Sequence, residues 1–164
     1  MAAERGTSPG EEQFAYGDLP AGIAGPAPGK RCIEGEFIRY LNESFGTTDK
    51  IDFQLIIEPL KIGVAQAIPI ALIINEAVTN SIKYAFPGDR RGMIGIDMRL
   101  AGDVITLRIC DDGIGIAPAL VESPSASLGL KLIRGLSEDI HGTLRITNEG
   151  GTTIFVSFSP GILD

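Results

Sequence analysis

Strand-like segments in this chain arrive in adjacent pairs, and a helix-period segment separates one pair from the next. That order constrains the fold more than any other feature. From Arg31, Ile33, Phe37, Ile38 and Leu41 recur at helical spacing, with Phe45 next and Gly46 ending the run. Ile51, Phe53, Leu55 and Ile57 then alternate with Asp52, Gln54 and Ile56, the period of a half-buried strand. Around the breakers Pro59 and Gly63, the residues Leu60, Ile62 and Val64 suggest a short further strand. Pro69 suits the first turn of a long helix reaching about Phe86, where Pro87-Gly88 stops it. Met93–Leu100 and Val104–Cys110 read as two strands joined by the hairpin turn Ala101-Gly102-Asp103. A glycine-rich turn follows at Asp112–Gly115, then a loop of small residues, Ala117–Ser127. Leu128–Ile140 reads as a helix, Thr143–Thr147 as a strand, Glu149-Gly150-Gly151 as a turn and Thr152–Ser159 as a last strand. Single strands alternating with helices would predict a doubly wound parallel sheet. Paired strands predict an α+β two-layer sandwich instead, a mixed, mostly antiparallel sheet covered on one face by about three helices.

Composition narrows the possibilities further. Residues 1–29 contain sixteen Ala, Gly or Pro and few large apolar side chains, too little to offset ordering entropy. They are expected to form a flexible leader or linker, with residues 30–164 as one domain. The string GPAPGK at Gly25–Lys30 is one residue short of a phosphate-binding P-loop, and Arg31 stands where a magnesium-holding hydroxyl is needed. A net charge of −7 argues against nucleic acid as a partner. Two cysteines, Cys32 and Cys110, exclude a disulfide scaffold, and the single histidine, His141, excludes any site needing two. The longest apolar stretch, Ala67–Ile74, is far too short to span a membrane, and no secretory leader pattern opens the chain. The expected location is cytoplasmic, with no direct membrane insertion.

Four places carry chemistry. On the long helix, Ile74, Val78, Ser81 and Ala85 fall on one side, and Glu76, Asn80 and Lys83 on the other. A solvated polar face explains the second group, yet Asn is a poor mid-helix residue, and its carbonyl is a fitting ligand for a hard cation such as magnesium. Next, Cys110-Asp111-Asp112-Gly113-Ile114-Gly115 runs from a strand into an acidic pair and two glycines. An aspartate at a strand end can accept from an exocyclic amine such as that of adenine, although Asp-Gly also marks ordinary turns. Third, Ser127-Leu128-Gly129-Leu130 reads equally as a serine-capped helix start or as a backbone cradle for phosphate. Last, Gly150-Gly151-Thr152-Thr153 enters the final strand, where a hydroxyl would support Asp111 or simply favour β structure.

Taken together and in order, NEAVTNSIKYAF, DDGIGIAP, SLGLKLI and GGTTIFVSF resemble the N box, the two glycine boxes and the last strand of the GHKL superfamily of ATP-binding domains. The resemblance covers about residues 31–160. The text between the motifs looks most like sensor histidine kinases with the second type of dimerisation region, close to the HWE kinases. The chain has no tryptophan and so lacks the Trp-x-Glu element of that group, which favours the sister branch. The resemblance implies a Bergerat fold binding ATP and magnesium. It implies Asn80 as magnesium ligand, Glu76 as the residue orienting water or acceptor, Lys83 near the phosphates and Tyr84 beside it. It implies Asp111 as adenine acceptor, Gly113 and Gly115 shaping the pocket, Gly129 and Leu130 beside the phosphates, and Thr152, or else Thr153, supporting the adenine contact. Ile116–Leu128 contains no Phe, so the phenylalanine-bearing lid motif of many kinases is absent.

A histidine kinase of this kind passes the γ-phosphate to a histidine on a dimerisation domain and, through it, to a response regulator. His141 sits between a helix and a strand, before Gly142, and is expected to be structural. The sequence therefore reads as a catalytic domain without its phosphoacceptor. Two alternatives remain: a stand-alone anti-sigma-type serine kinase, and a non-catalytic ATP-sensing module.

Overall fold

The computed structural model describes residues 39–40, 43–44, 46, 50–117 and 127–161. Strand β1 (Ile51–Ile57) leads to helix α1 (Val64–Asn80), which widens into a π-helical turn over Ser81–Ala85. The hairpin β2 (Gly92–Ala101) and β3 (Val104–Asp111) follows, then helix α2 (Leu128–Asp139) and the strands β4 (Thr143–Thr147) and β5 (Thr153–Phe158). Among the described residues two helices are complete, and part of the third expected from the sequence is helical. Of the first expected helix, Arg39, Tyr40, Glu43 and Ser44 are helical. The rest of it, the leader over 1–29 and the loop positions 118–126 lie outside the described residues.

The strands form one mixed sheet in the order β1-β2-β3-β5-β4. Only β1 and β2 run parallel, as their connection through α1 allows, and every other neighbour is antiparallel. The β2–β3 turn closes tightly, pairing Ala101 with Val104, because Gly102 takes φ 62°, a left-handed conformation that costs glycine little. Period-two alternation lines one face with apolar rows across the sheet. Ile96 pairs with Ile109 and Ile109 with Ile154; Met98 pairs with Leu107 and Leu107 with Val156. These rows meet Ile70, Ile73, Ala77 and Val78 of α1 and Ile133 of α2 in one contiguous core. Asp111 is two residues beyond Ile109, so the same alternation turns its carboxylate to the core side.

Three local expectations are corrected. Leu60, Ile62 and Val64 form no strand, because Gly63 is already the N-cap of α1: its carbonyl accepts from Gln66 N at 3.0 Å and Ala67 N at 2.9 Å. Val64 is thus the first helical residue, and Pro69 stands inside the helix rather than in its first turn. A proline there removes a donor to the carbonyl four residues back, that of Ala65, which lies on the exposed side and can turn to water. At its far end, α1 does not continue as an α-helix to Phe86 but ends at Asn80 and widens.

Helix α2 begins with Ser127 Oγ accepting from Leu130 N at 3.3 Å. It ends in a Schellman arrangement. His141 N donates to the Glu138 carbonyl at 2.9 Å and Gly142 N to the Ser137 carbonyl at 2.8 Å, with His141 itself left-handed at φ 54°.

Candidate active site

The site is built where the end of α1, the end of β3 and the entry to β5 meet. Asp111 is buried, 5% exposed, and its carboxylate accepts three hydrogen bonds. Oδ1 takes the backbone N–H groups of Gly113 at 3.0 Å and Thr152 at 3.1 Å. Oδ2 takes the hydroxyl of Ser81 at 2.7 Å. The backbone N–H of Asp111 donates in turn to the Thr152 carbonyl at 2.9 Å. Thr152, itself buried, therefore reaches Asp111 through its main chain, and the hydroxyl on the carboxylate is that of Ser81. Close approach here depends on Gly151, whose φ is 131° and whose missing Cβ would lie 1.9 Å from the Asp111 carbonyl oxygen.

The loop after β3 packs on the π-helical turn. A Cβ at Gly113 would lie 2.4 Å from the Ala85 Cβ, and Ile114 N donates to the Ala85 carbonyl at 3.0 Å. Its base is fastened by Asp112, whose Oδ1 accepts from Met93 N at 2.7 Å and whose carbonyl accepts from Arg90 Nη2 at 2.8 Å. Gly115 turns at φ 77° against Asn148. The Asn148 side chain then clamps the next residue from both sides: its Oδ1 accepts from Ile116 N at 3.0 Å and its Nδ2 donates to the Ile116 carbonyl at 2.7 Å.

A second cluster lies across the two helices. A Cβ added to Gly129 would fall 2.2 Å from Glu76 Oε1 and 3.1 Å from Asn80 Nδ2. The start of α2 therefore rests directly on the polar stripe of α1, a close approach that the missing Cβ of Gly129 permits. Leu130 turns inward, 7% exposed. Lys83 and Tyr84 stand out from the π-helical turn into solvent, Tyr84 at 66% exposure. Asn80 and Ser81 are consecutive, so the two clusters share one end of α1.

Of the residues expected from sequence, Asp111, Gly113 and Thr152 come together, and so do Glu76, Asn80 and Gly129. Gly115 borders the first group; Lys83 and Tyr84 touch neither. Sequence reasoning missed Ser81, Asn148 and Arg90. For Ser81 a signal existed: it is the polar member of the helix side it shares with Ile74, Val78 and Ala85. For Asn148, four residues before Thr152 in a turn, none did. Among the described residues no group of three or more His, Cys, Asp or Glu is placed to hold a metal ion. A cation here would take few protein ligands. Nor does any described helix have the length and apolarity to cross a membrane.

Residues 65–161, more than half of the chain, match the family described as histidine kinase-, DNA gyrase B-, and HSP90-like ATPase. The chain belongs to this family. Among curated proteins it is 27% identical over 127 residues to an anti-sigma F factor of Bacillus cereus, covering 71% of this chain and 83% of that protein. It is 23% identical to blue-light-activated histidine kinase 2 of Erythrobacter litoralis, covering 87% of this chain but only 42% of that protein. To the sensor histidine kinase PdtaS of Mycobacterium tuberculosis it is 30% identical over 100 residues, 58% of this chain and 20% of that protein. The histidine kinase domain of the Erythrobacter litoralis EL346 blue-light activated kinase superposes with a TM-score of 0.69 at 21% identity, over 77% of this chain and 58% of that one. The mycobacterial sensor kinase MprB does so with a TM-score of 0.59 at 21% identity, over 77% and 95%. These likenesses establish the Bergerat-type fold expected from sequence, and the chain carries a histidine-kinase-like ATPase domain.

Proposed function

We infer that this domain binds Mg-ATP and offers the γ-phosphate to a histidine on a separate dimerisation domain, from which a response regulator is phosphorylated. The observation that carries this reading is the buried carboxylate of Asp111, fixed by three donors, one of them Ser81, the residue next to Asn80. The residues present fit a nucleotide and a cation. Gly129, lacking a Cβ, lets the start of α2 lie close against Glu76 and Asn80. A carboxylate has about four acceptor positions, and Asp111 has used three, which leaves one for a base amine. A bound magnesium supplies neutralisation of phosphoryl charge, with the Asn80 carbonyl as the protein ligand. Asp111 orients the base, with Gly113 and Gly115 shaping the pocket and Thr152 holding the carboxylate. Gly129 and Leu130 bring the α2 N-terminus towards the phosphates, Lys83 adds a cation on a mobile stem, with Tyr84 alongside, and Glu76 orients the acceptor. His141 is read as a structural residue, its left-handed backbone closing the end of α2, and the acceptor as lying on another domain.

Calorimetry tests the first step. Mg-ATP should bind with micromolar affinity, and Asp111→Asn should abolish the heat. Unchanged affinity in that variant would place the base elsewhere. Transfer is tested by mixing the chain with labelled ATP and a panel of dimerisation domains, where acid-labile label on histidine is expected.

One observation favours a second reading, a stand-alone serine kinase of the anti-sigma type. The match to the Bacillus cereus factor extends over 83% of that protein, whereas the chain spans less than half of the Erythrobacter kinase. Acid-stable label on an anti-anti-sigma protein in the same assay would select it.

A further inference from the structure

We propose that Ser81 is a positioning residue for base selection: its hydroxyl holds the Asp111 carboxylate at the angle from which it can accept an amino group of a purine. This inference rests on the nucleotide reading above and deepens it. Three observations support it. Ser81 is buried, 9% exposed, in the middle of a helix side otherwise apolar, so its hydroxyl requires a partner. That partner is Asp111 Oδ2 at 2.7 Å, thirty residues away in sequence. And Ser81 opens the π-helical turn whose last residue, Ala85, packs on Gly113 and receives the Ile114 N–H. The two ends of that one turn therefore touch the two ends of the recognition loop, the first through a side chain and the last through backbone. π-Helical turns inside α-helices often mark functional positions, because they shift side chains off the regular row.

The geometry assigns different tasks to the donors. Gly113 and Thr152 both load Oδ1 through main-chain N–H groups, which no substitution at those residues other than proline removes. They anchor Oδ1 and leave the lone pairs of Oδ2 unassigned. Ser81 alone holds Oδ2. With one lone pair of Oδ2 taken by the hydroxyl, the other is directed to one place, where it accepts an N–H and repels a carbonyl oxygen. A purine with a 6-amino group satisfies it; one with hydrogen or oxygen at that position does not.

The test compares ATP with purine riboside triphosphate, which lacks only the 6-amino group, on the whole chain by calorimetry with magnesium present. Ser81→Ala removes the hydroxyl with almost no change of shape, and Ser81→Thr restores one. The expected result is an about tenfold weaker binding of ATP to Ser81→Ala. Binding of purine riboside triphosphate should be unchanged, and the wild-type ratio should return in Ser81→Thr. Equal weakening of both nucleotides, or no weakening of either, would overturn the proposal. Asp111→Asn in the same assay separates the underlying reading from this one. If it binds ATP with wild-type affinity, base recognition by Asp111 is wrong. If it loses ATP binding while Ser81→Ala binds ATP as wild type does, only the role of Ser81 is wrong. Circular dichroism melts of each variant identify any loss of fold, and for a melted Ser81→Ala the ratio in Ser81→Cys, a weak donor of similar size, decides: an intermediate ratio supports the role and an unchanged ratio overturns it.

Discussion

Two single residues separate the chemistry of this domain from its stability. Gly129 occupies a helix position where alanine is ordinarily better by about 1 kcal/mol, yet its Cβ would meet Glu76 Oε1. The carboxylate is the far end of a flexible side chain and can move aside. Gly129→Ala should therefore leave the thermal midpoint within a few degrees of wild type while displacing Glu76 and weakening Mg-ATP binding at least tenfold; equal affinity would show that the placement of Glu76 against α2 is not used. His141 gives the opposite case. A left-handed non-glycine residue is strained by about 1–2 kcal/mol, and glycine returns about 0.5–1 kcal/mol of that as unfolded-state entropy. His141→Gly is expected to stabilise the domain by about 0.5–1 kcal/mol with no loss of activity, measured by urea titration and phosphotransfer. A phosphotransfer defect would contradict its role as a cap.

At the scale of elements, α1 both closes the core and carries the site, and its two faces answer differently to substitution. Ile73 is wholly buried between α1 and the sheet, so Ile73→Ala should cost about 2–5 kcal/mol of unfolding free energy. Asn148, by contrast, is exposed, and its hydrogen bonds among the described residues go to the Ile116 backbone. Asn148→Ala should barely change stability but should raise amide exchange at Ile116, where the clamp protects the only N–H it receives. Much of this element pattern was legible from periodicity. The hairpin with its Gly102 turn, the strand Thr143–Thr147 and the Asp111 position all follow from period-two alternation and turn chemistry. What was not legible has specific causes. Pro69 signals a helix start, but the Gly63 carbonyl begins the helix a turn and a half earlier through main-chain bonds that carry no residue preference. The π-helical turn is invisible to a 100° projection, since its residues advance by a smaller angle. The Asn148 clamp joins segments thirty-two residues apart, and no local pattern encodes such a contact.

For the whole molecule, the net charge of −7 sets how an anionic ligand approaches. Long-range repulsion is screened over about 10 Å at 0.1 M salt, whereas the contacts at Asp111 and Gly129 are short and partly buried. Raising potassium chloride from low to moderate concentration should therefore speed ATP association in stopped-flow measurements while changing its dissociation little. An association rate that falls with salt would mean that a local cationic patch outweighs the overall field.

The side-chain amide of Gln66 reaches across to Ser159 and Gly161, donating to one carbonyl at 2.9 Å and accepting from the other N–H at 2.7 Å. Gly161 is thus held beside the first turn of α1, about 21 Å along the helix axis from Asn80 at 1.5 Å per residue. A fluorophore or a surface tether attached at Gly161 would stand at the end of α1 remote from Glu76 and Asn80. Single-molecule or immobilised formats built on that attachment point should leave nucleotide entry unobstructed.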